Sequence, residues 1–167
     1  MSVERTTRLC MFNELHPGLH QALQEYFLAH GLGDPETETR LCCETLTVRR
    51  PSAKWISFLE GNLDATSRRA ILLTPEWLVW ALSGDKSGAV AAGARLRVLR
   101  ARVTVAWPSK EFRLELAGFM NDTTEYVRGH LDLGSQPAAE KICKAVSTAV
   151  LEQKPPPQKE RRRWFGI

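Results

Sequence analysis

The spacing of apolar residues along the chain changes several times, and each change marks an element. Leu15, Leu19, Ala22, Leu23, Tyr26 and Phe27 recur at the interval of one helical face, with Pro17 suited to a first turn and Gly31 and Gly33 to a stop. Residues 1–12 show no period and are expected to form a loose or lightly docked arm. Between Thr39 and Arg49 the period becomes two, with Leu41, Cys43, Thr45 and Thr47 on one parity and Cys42, Glu44, Leu46 and Val48 on the other, which predicts a strand. A basic turn over residues 49–54, a second strand over 55–60 and a polar connection over 61–69 should follow.

The most apolar run, ILLTPEWLVWAL over residues 71–82, is broken only by Thr74, Pro75 and Glu76, and it predicts a hairpin at the centre of a sheet. A Gly- and Ala-rich loop is expected over 83–94. Beyond it Arg95 and Arg97 alternate with Leu96 and Val98, whereas Arg100 and Arg102 alternate with Leu99, Ala101, Val103, Val105 and Trp107. Inward and outward positions therefore exchange between Val98 and Leu99, which calls for a bulge or bend there, with the four arginines on a solvated face. Phe112, Leu114 and Leu116, then Val127, Leu131 and Leu133, mark two more strands around an Asn121-Asp122-Thr123-Thr124 turn. Ser135 and Pro137 open a final helix whose apolar face is Ala139, Ile142, Cys143, Val146, Ala149 and Val150.

The expected fold class is α+β, a small antiparallel β-sandwich or partly open barrel of about seven strands with an N-terminal and a C-terminal helix. Residues 1–38 form the arm and first helix, 39–153 the β domain with its closing helix, and 154–167 a proline-rich, basic and aromatic tail. Pro155, Pro156 and Pro157 suit an extended spacer that presents Arg161, Arg162, Arg163, Trp164 and Phe165.

Charge sharpens this division. Of 23 basic and 19 acidic residues, five basic and one acidic lie in 154–167, so the remaining chain holds 18 of each and is neutral. A neutral body argues against a nucleic-acid platform, although Arg95, Arg97, Arg100, Arg102 and Trp107 could track phosphates. Cys10, Cys42, Cys43 and Cys143 lack C-x-x-C spacing and are expected to be small buried hydrophobes, with no metal and no cofactor. The histidines of the first helix, His16, His20 and His30, are expected to be solvated or capping. No nucleophile elbow, phosphate loop or H-E-x-x-H motif is present, and a pairing of Glu44 with His130 is the only catalytic thought the strands suggest; a non-enzyme is expected. No apolar run reaches the ~18 residues of a membrane-spanning helix, and the first residues do not read as a secretory signal, so a cytoplasmic protein is expected.

Ile71-Leu72-Leu73-Thr74 followed by Trp77-Leu78-Val79-Trp80, together with Ser135-Gln136-Pro137-Ala138-Ala139-Glu140, resembles the central hairpin and the entry to the C-terminal helix of the pleckstrin-homology-like superfamily, including its GRAM and bacterial PH types. The resemblance covers roughly residues 40–153. It implies a binding module, and members that bind inositol phospholipids do so with basic residues around the first strand-to-strand loop. By position that loop is 49–55, and the matching residues are Arg49, Arg50 and Lys54. The expected function is reversible attachment to an anionic membrane surface or an acidic partner through that loop and through Arg161, Arg162, Arg163, Trp164 and Phe165. The alternative is a protein–protein adaptor whose tail docks into a partner.

Overall fold

A computed structural model describes residues 2–50 and 64–154. The expected strand at 55–60, Lys54 and the tail residues Arg161, Arg162, Arg163, Trp164 and Phe165 lie outside the described residues. The described elements are β1 (Ser2–Leu9), α1 (Pro17–His30), the single turn α2 (Pro35–Glu38), β2 (Leu41–Arg50), β3 (Thr66–Leu73), β4 (Trp77–Gly84), β5 (Val90–Arg95), β6 (Leu99–Ala106), β7 (Glu111–Phe119), β8 (Tyr126–Asp132) and α3 (Pro137–Glu152). They form two antiparallel sheets, β1-β2-β3-β4-β5 and β6-β7-β8, in an α+β arrangement.

The apolar run at 71–82 is the hairpin of β3 and β4, pairing Ile71 with Trp80 and Leu73 with Leu78. Its turn is closed by Thr74, whose hydroxyl accepts from the Trp77 amide at 2.9 Å while its own amide donates to the Trp77 carbonyl at 2.9 Å. The run is continuous because both faces of the strand are covered. Ala70 and Leu72 join Leu19, Leu23 and Phe27 of α1 and Val79 of β4 in one core. Ile71 and Leu73 join Leu99, Leu114, Ile142, Cys143 and Val146 in another, between the first sheet, the second sheet and α3.

Four expectations change. Residues 1–12 are no loose arm, because Ser2–Leu9 pairs along its length with β2 as an edge strand. The supposed loop at 83–94 contains β5, whose small residues Ala92, Gly93 and Ala94 lie beside Trp80, Val79 and Leu78 of β4. The polar connection ends early, since β3 already begins at Thr66. Arg49 and Arg50 complete β2 instead of starting a turn. The parity exchange at Val98 and Leu99 is a short 3-10 turn, Leu96–Val98, that carries the chain from the first sheet to the second. A bend that changes sheets must swap the inward parity, which accounts for the exchange.

The open edge of β1 is tied down by side chains. The Thr7 amide donates to Gln136 Oε1 at 3.0 Å and Gln136 Nε2 donates to the Arg5 carbonyl at 3.1 Å, so one amide side chain satisfies two of the free edge groups. Gly134 sits in the same close approach, where a Cβ would come within 2.6 Å of the Arg5 carbonyl oxygen. On the α1 side of the sheet Glu44, 2% exposed, accepts from Arg8 at 2.9 Å and from Arg68 at 3.0 Å, so its buried charge bridges β1, β2 and β3.

Replacing Glu44 with Gln weakens both charge-assisted bonds and should cost about 1 to 3 kcal/mol, seen as a lower urea midpoint. An unchanged midpoint would show that the bridge contributes nothing.

Candidate anion-binding recess

Strand register puts Cys43, Thr45, Thr47 and Arg49 of β2 on one face of the first sheet, with Ile71, Arg69 and Ser67 as their β3 counterparts. This is the face whose Cys43 and Ile71 lie in the core beneath α3. Followed along β2 and β3 toward residue 50, the apolar pair Cys43 and Ile71 gives way to Thr45 opposite Arg69, then to Thr47 opposite Ser67, and then to Arg49. A recess of about 220 Å³ occupies that end, lined by Arg5, Thr47, Arg49, Asp64, Ser67, Arg69, Leu82 and Asp132.

The three arginines are held differently. Arg5 is committed to carboxylates, donating to Glu111 at 2.7 Å and lying 3.7 Å from Asp132, and it thereby joins β1 to the second sheet. Arg49 donates to the main-chain carbonyl of Asp64 at 2.8 Å, and Arg69 to the main-chain carbonyl of Asp132 at 3.0 Å. Neither makes an ion pair among the described residues. Burial pushes the Arg69 pKa down, with nearby Asp132 acting against it. The group stays charged, since a guanidinium is not deprotonated in a protein. A partly buried cation whose fork of donors meets one carbonyl oxygen retains donors for an anion, and a phosphoryl or carboxylate group matches that fork in geometry.

The acids at the rim are occupied. Asp64 accepts from the Lys86 amide at 2.8 Å and from the Ser87 hydroxyl, and these bonds, the hydroxyl first, lower its pKa to about 2. It therefore closes the turn after β4. Asp132 accepts from Arg113 Nε at 2.6 Å. Burial alone would raise its pKa, but the Arg113 hydrogen bond and the charges of Arg113 and Arg5 outweigh burial and hold it below the usual value.

Of the residues singled out in the sequence, Arg49 is in the recess. Arg50, its neighbour along the strand, alternates away; its side chain is 72% exposed and lies 3.5 Å from Glu4. Lys54 and the tail residues are outside the described residues. Arg5, Arg69 and Asp132 were not foreseen, although the decline from Cys43 and Ile71 to Thr47 and Ser67 along one parity was available as a signal. The four arginines of the parity break do not form one stripe, because Arg95 makes a two-pronged pair with Asp122 at 2.8 and 3.1 Å and lies over the Trp77 ring at 4.8 Å. Glu44 and His130 do not meet, for Glu44 bonds Arg8 and Arg68 while His130 lies 3.5 Å from Asp132.

The histidines and cysteines find other partners. His16 caps α1, its Nδ1 accepting from the Gly18 amide at 3.4 Å, and the His30 ring stacks on Tyr26 at 4.2 Å. Cys42, Cys43 and Cys143 are buried, while Cys10 is half-buried with its sulfur 3.8 Å from that of Cys42. These two thiols border a larger cavity of about 580 Å³ that also holds Glu14, Glu36 and Arg40 but no group of arginines. Among the described residues no cluster of three or more His, Cys, Asp or Glu is placed to hold a metal ion. No family model, curated protein or solved structure matches the chain.

The lowered pKa of Asp132 implies stability that is fully present above the ordinary carboxyl value, about pH 4, and lost as pH falls through the lower folded value. Asp132→Asn should therefore destabilise by about 1 kcal/mol near neutrality, with the gap to the unsubstituted protein closing in acid. A gap that stays constant from neutral to acid pH in urea titrations would show that Asp132 does not hold the arginines through its charge.

Proposed function

We propose that the protein is a non-catalytic, PH-like binding module that attaches reversibly to an anionic membrane surface by taking a headgroup phosphoryl group into the recess at Arg49 and Arg69. The observation that carries this reading is the Arg69 guanidinium, partly buried on the inner sheet face and bonded to a lone main-chain carbonyl. A desolvated cation with no carboxylate bonded to it is only partly compensated by the nearby Asp132 charge, and an anion supplied from outside offsets the remaining cost. Thr47 and Ser67 add hydroxyl donors to the same wall.

Other features agree with it. Successive antiparallel strands in two sheets, followed by a helix that packs across their shared core, suit the PH-like resemblance of the 71–80 hairpin and of the approach to α3. Arg49, at the end of β2, leads into the loop position that the resemblance associates with headgroup binding. Arg161, Arg162 and Arg163 beside Trp164 and Phe165 would add a second contact, joining charge attraction to interfacial rings. No helix among the described residues is long and apolar enough to cross a membrane, and surface attachment requires none.

Sedimentation with phosphatidylcholine vesicles, with and without a phosphoinositide, tests the proposal. Basic residues near an anionic surface contribute about 1 kcal/mol each, so Arg49→Gln with Arg69→Gln should weaken binding about 30-fold. Ending the chain after Gln153 should weaken it further, and high salt should abolish it. Undiminished binding by the double variant would remove the recess from the mechanism.

A further inference from the structure

The second sheet has its own exposed face. Leu99, Leu114, Leu116 and Leu131 point to the core beneath α3, so the alternate positions point away from it. Register aligns those positions in four rows: Thr104 with Arg113 and Asp132, Arg102 with Glu115 and His130, Arg100 with Ala117 and Arg128, and Phe119 with Tyr126. Arg113 is taken by Asp132. Arg100, Arg102 and Arg128 are exposed and make no ion pair among the described residues, and Glu115 also has none.

Ala117 is the small residue of its row. It leaves a trough between Arg100 and Arg128, which stand two strand spacings apart, about 10 Å. The cavity there measures about 460 Å³ and is lined also by Arg102, Glu115 and His130. At the end of the trough Phe119 and Tyr126 are 40% and 46% exposed and meet edge to face at 5.6 Å, with the Arg128 guanidinium 6.0 Å from the Tyr126 ring centre. An edge-to-face pair leaves ring surface open to a third planar group. Although the body is neutral by count, the face is locally cationic, because acids gather elsewhere, as at Asp34, Glu36 and Glu38 around α2.

We propose that this face binds single-stranded nucleic acid, with Arg100, Arg102 and Arg128 on phosphates, Tyr126 stacked against a base and Glu115 accepting from a base amino group. Basic side chains interleaved with a ring on an open sheet supply both parts of single-strand recognition. Glu115 decides against an acidic peptide, since it would repel carboxylates at the centre of the trough, whereas bases bring donors to it. A duplex keeps its bases stacked and offers nothing to Tyr126.

The test uses the full chain and a fluorescent, unstructured mixed-sequence RNA of roughly 12 nucleotides, within the usual span of a single-strand site. Anisotropy should show saturable binding that weakens about tenfold with Tyr126→Ala. Arg100→Gln with Arg128→Gln should weaken it and flatten the salt dependence by about 1.4 in log–log slope, the share of two phosphate contacts. Arg100→Lys with Arg128→Lys keeps the charge and should retain the slope, and Arg49→Gln with Arg69→Gln should leave affinity unchanged, which separates this surface from the recess. Three results would overturn the proposal: equal binding by the Arg100→Gln, Arg128→Gln variant, equal binding of the same sequence as a duplex, or comparable binding of a polyglutamate peptide. Circular dichroism and thermal midpoints matching the unsubstituted protein confirm that the variants are folded.

Discussion

The face of the first sheet that starts in the core and ends among arginines constrains the whole molecule. Cys43 and Ile71 need cover, and α3 with the second sheet provides it; Thr47, Ser67, Arg49 and Arg69 need solvation or partners, and the apolar cover stops short of them. Asp132 stands where these demands meet. Its carboxylate holds Arg113 and attracts Arg5, its carbonyl accepts from Arg69, and as the last residue of β8 it brings the edge of the second sheet to the mouth of the recess. The tie of Arg5 to Glu111 and the reciprocal bonds of Gln136 to β1 close the same side of the fold. What stabilises the sheet-to-sheet junction thus also leaves Arg49 and Arg69 with spare donors.

Much of this was legible from period and parity. The helices at Pro17–His30 and Pro137–Glu152 follow from apolar residues at helical spacing with proline at the start, and the central hairpin from its unbroken apolar run. The parity exchange at Val98 and Leu99 located the passage between sheets, because a strand that changes sheets must change its inward face. β1 was not legible, since an exposed edge strand with one buried residue, Thr7, has no apolar alternation to display. β5 was hidden by composition: small residues look like a loop, yet Gly93 has to be small where the Tyr26 hydroxyl oxygen would lie 2.8 Å from an added Cβ.

The candidate site was less legible than the fold. Arg49 could be singled out from its local basic run, but Arg5, Arg69 and Asp132 come from three other strands and converge through long-range register. Arg50 shows the converse, since adjacency along a strand separates two side chains to opposite faces. Net charge misleads in the same way. A balance of 18 basic and 18 acidic residues outside the tail conceals acids around α2 and cations on the second sheet, and only topology sorts them.

The central claim is that Arg49 and Arg69 keep donors free for an anion, and the side-chain Nε–Hε resonances of the arginines in nitrogen-15-labelled protein report on this directly. Titration with inorganic phosphate should shift the Arg49 and Arg69 signals together, saturably, while the Arg5 signal, held by Glu111 and Asp132, moves little. Shifts spread evenly over the exposed arginines without saturation would contradict the claim.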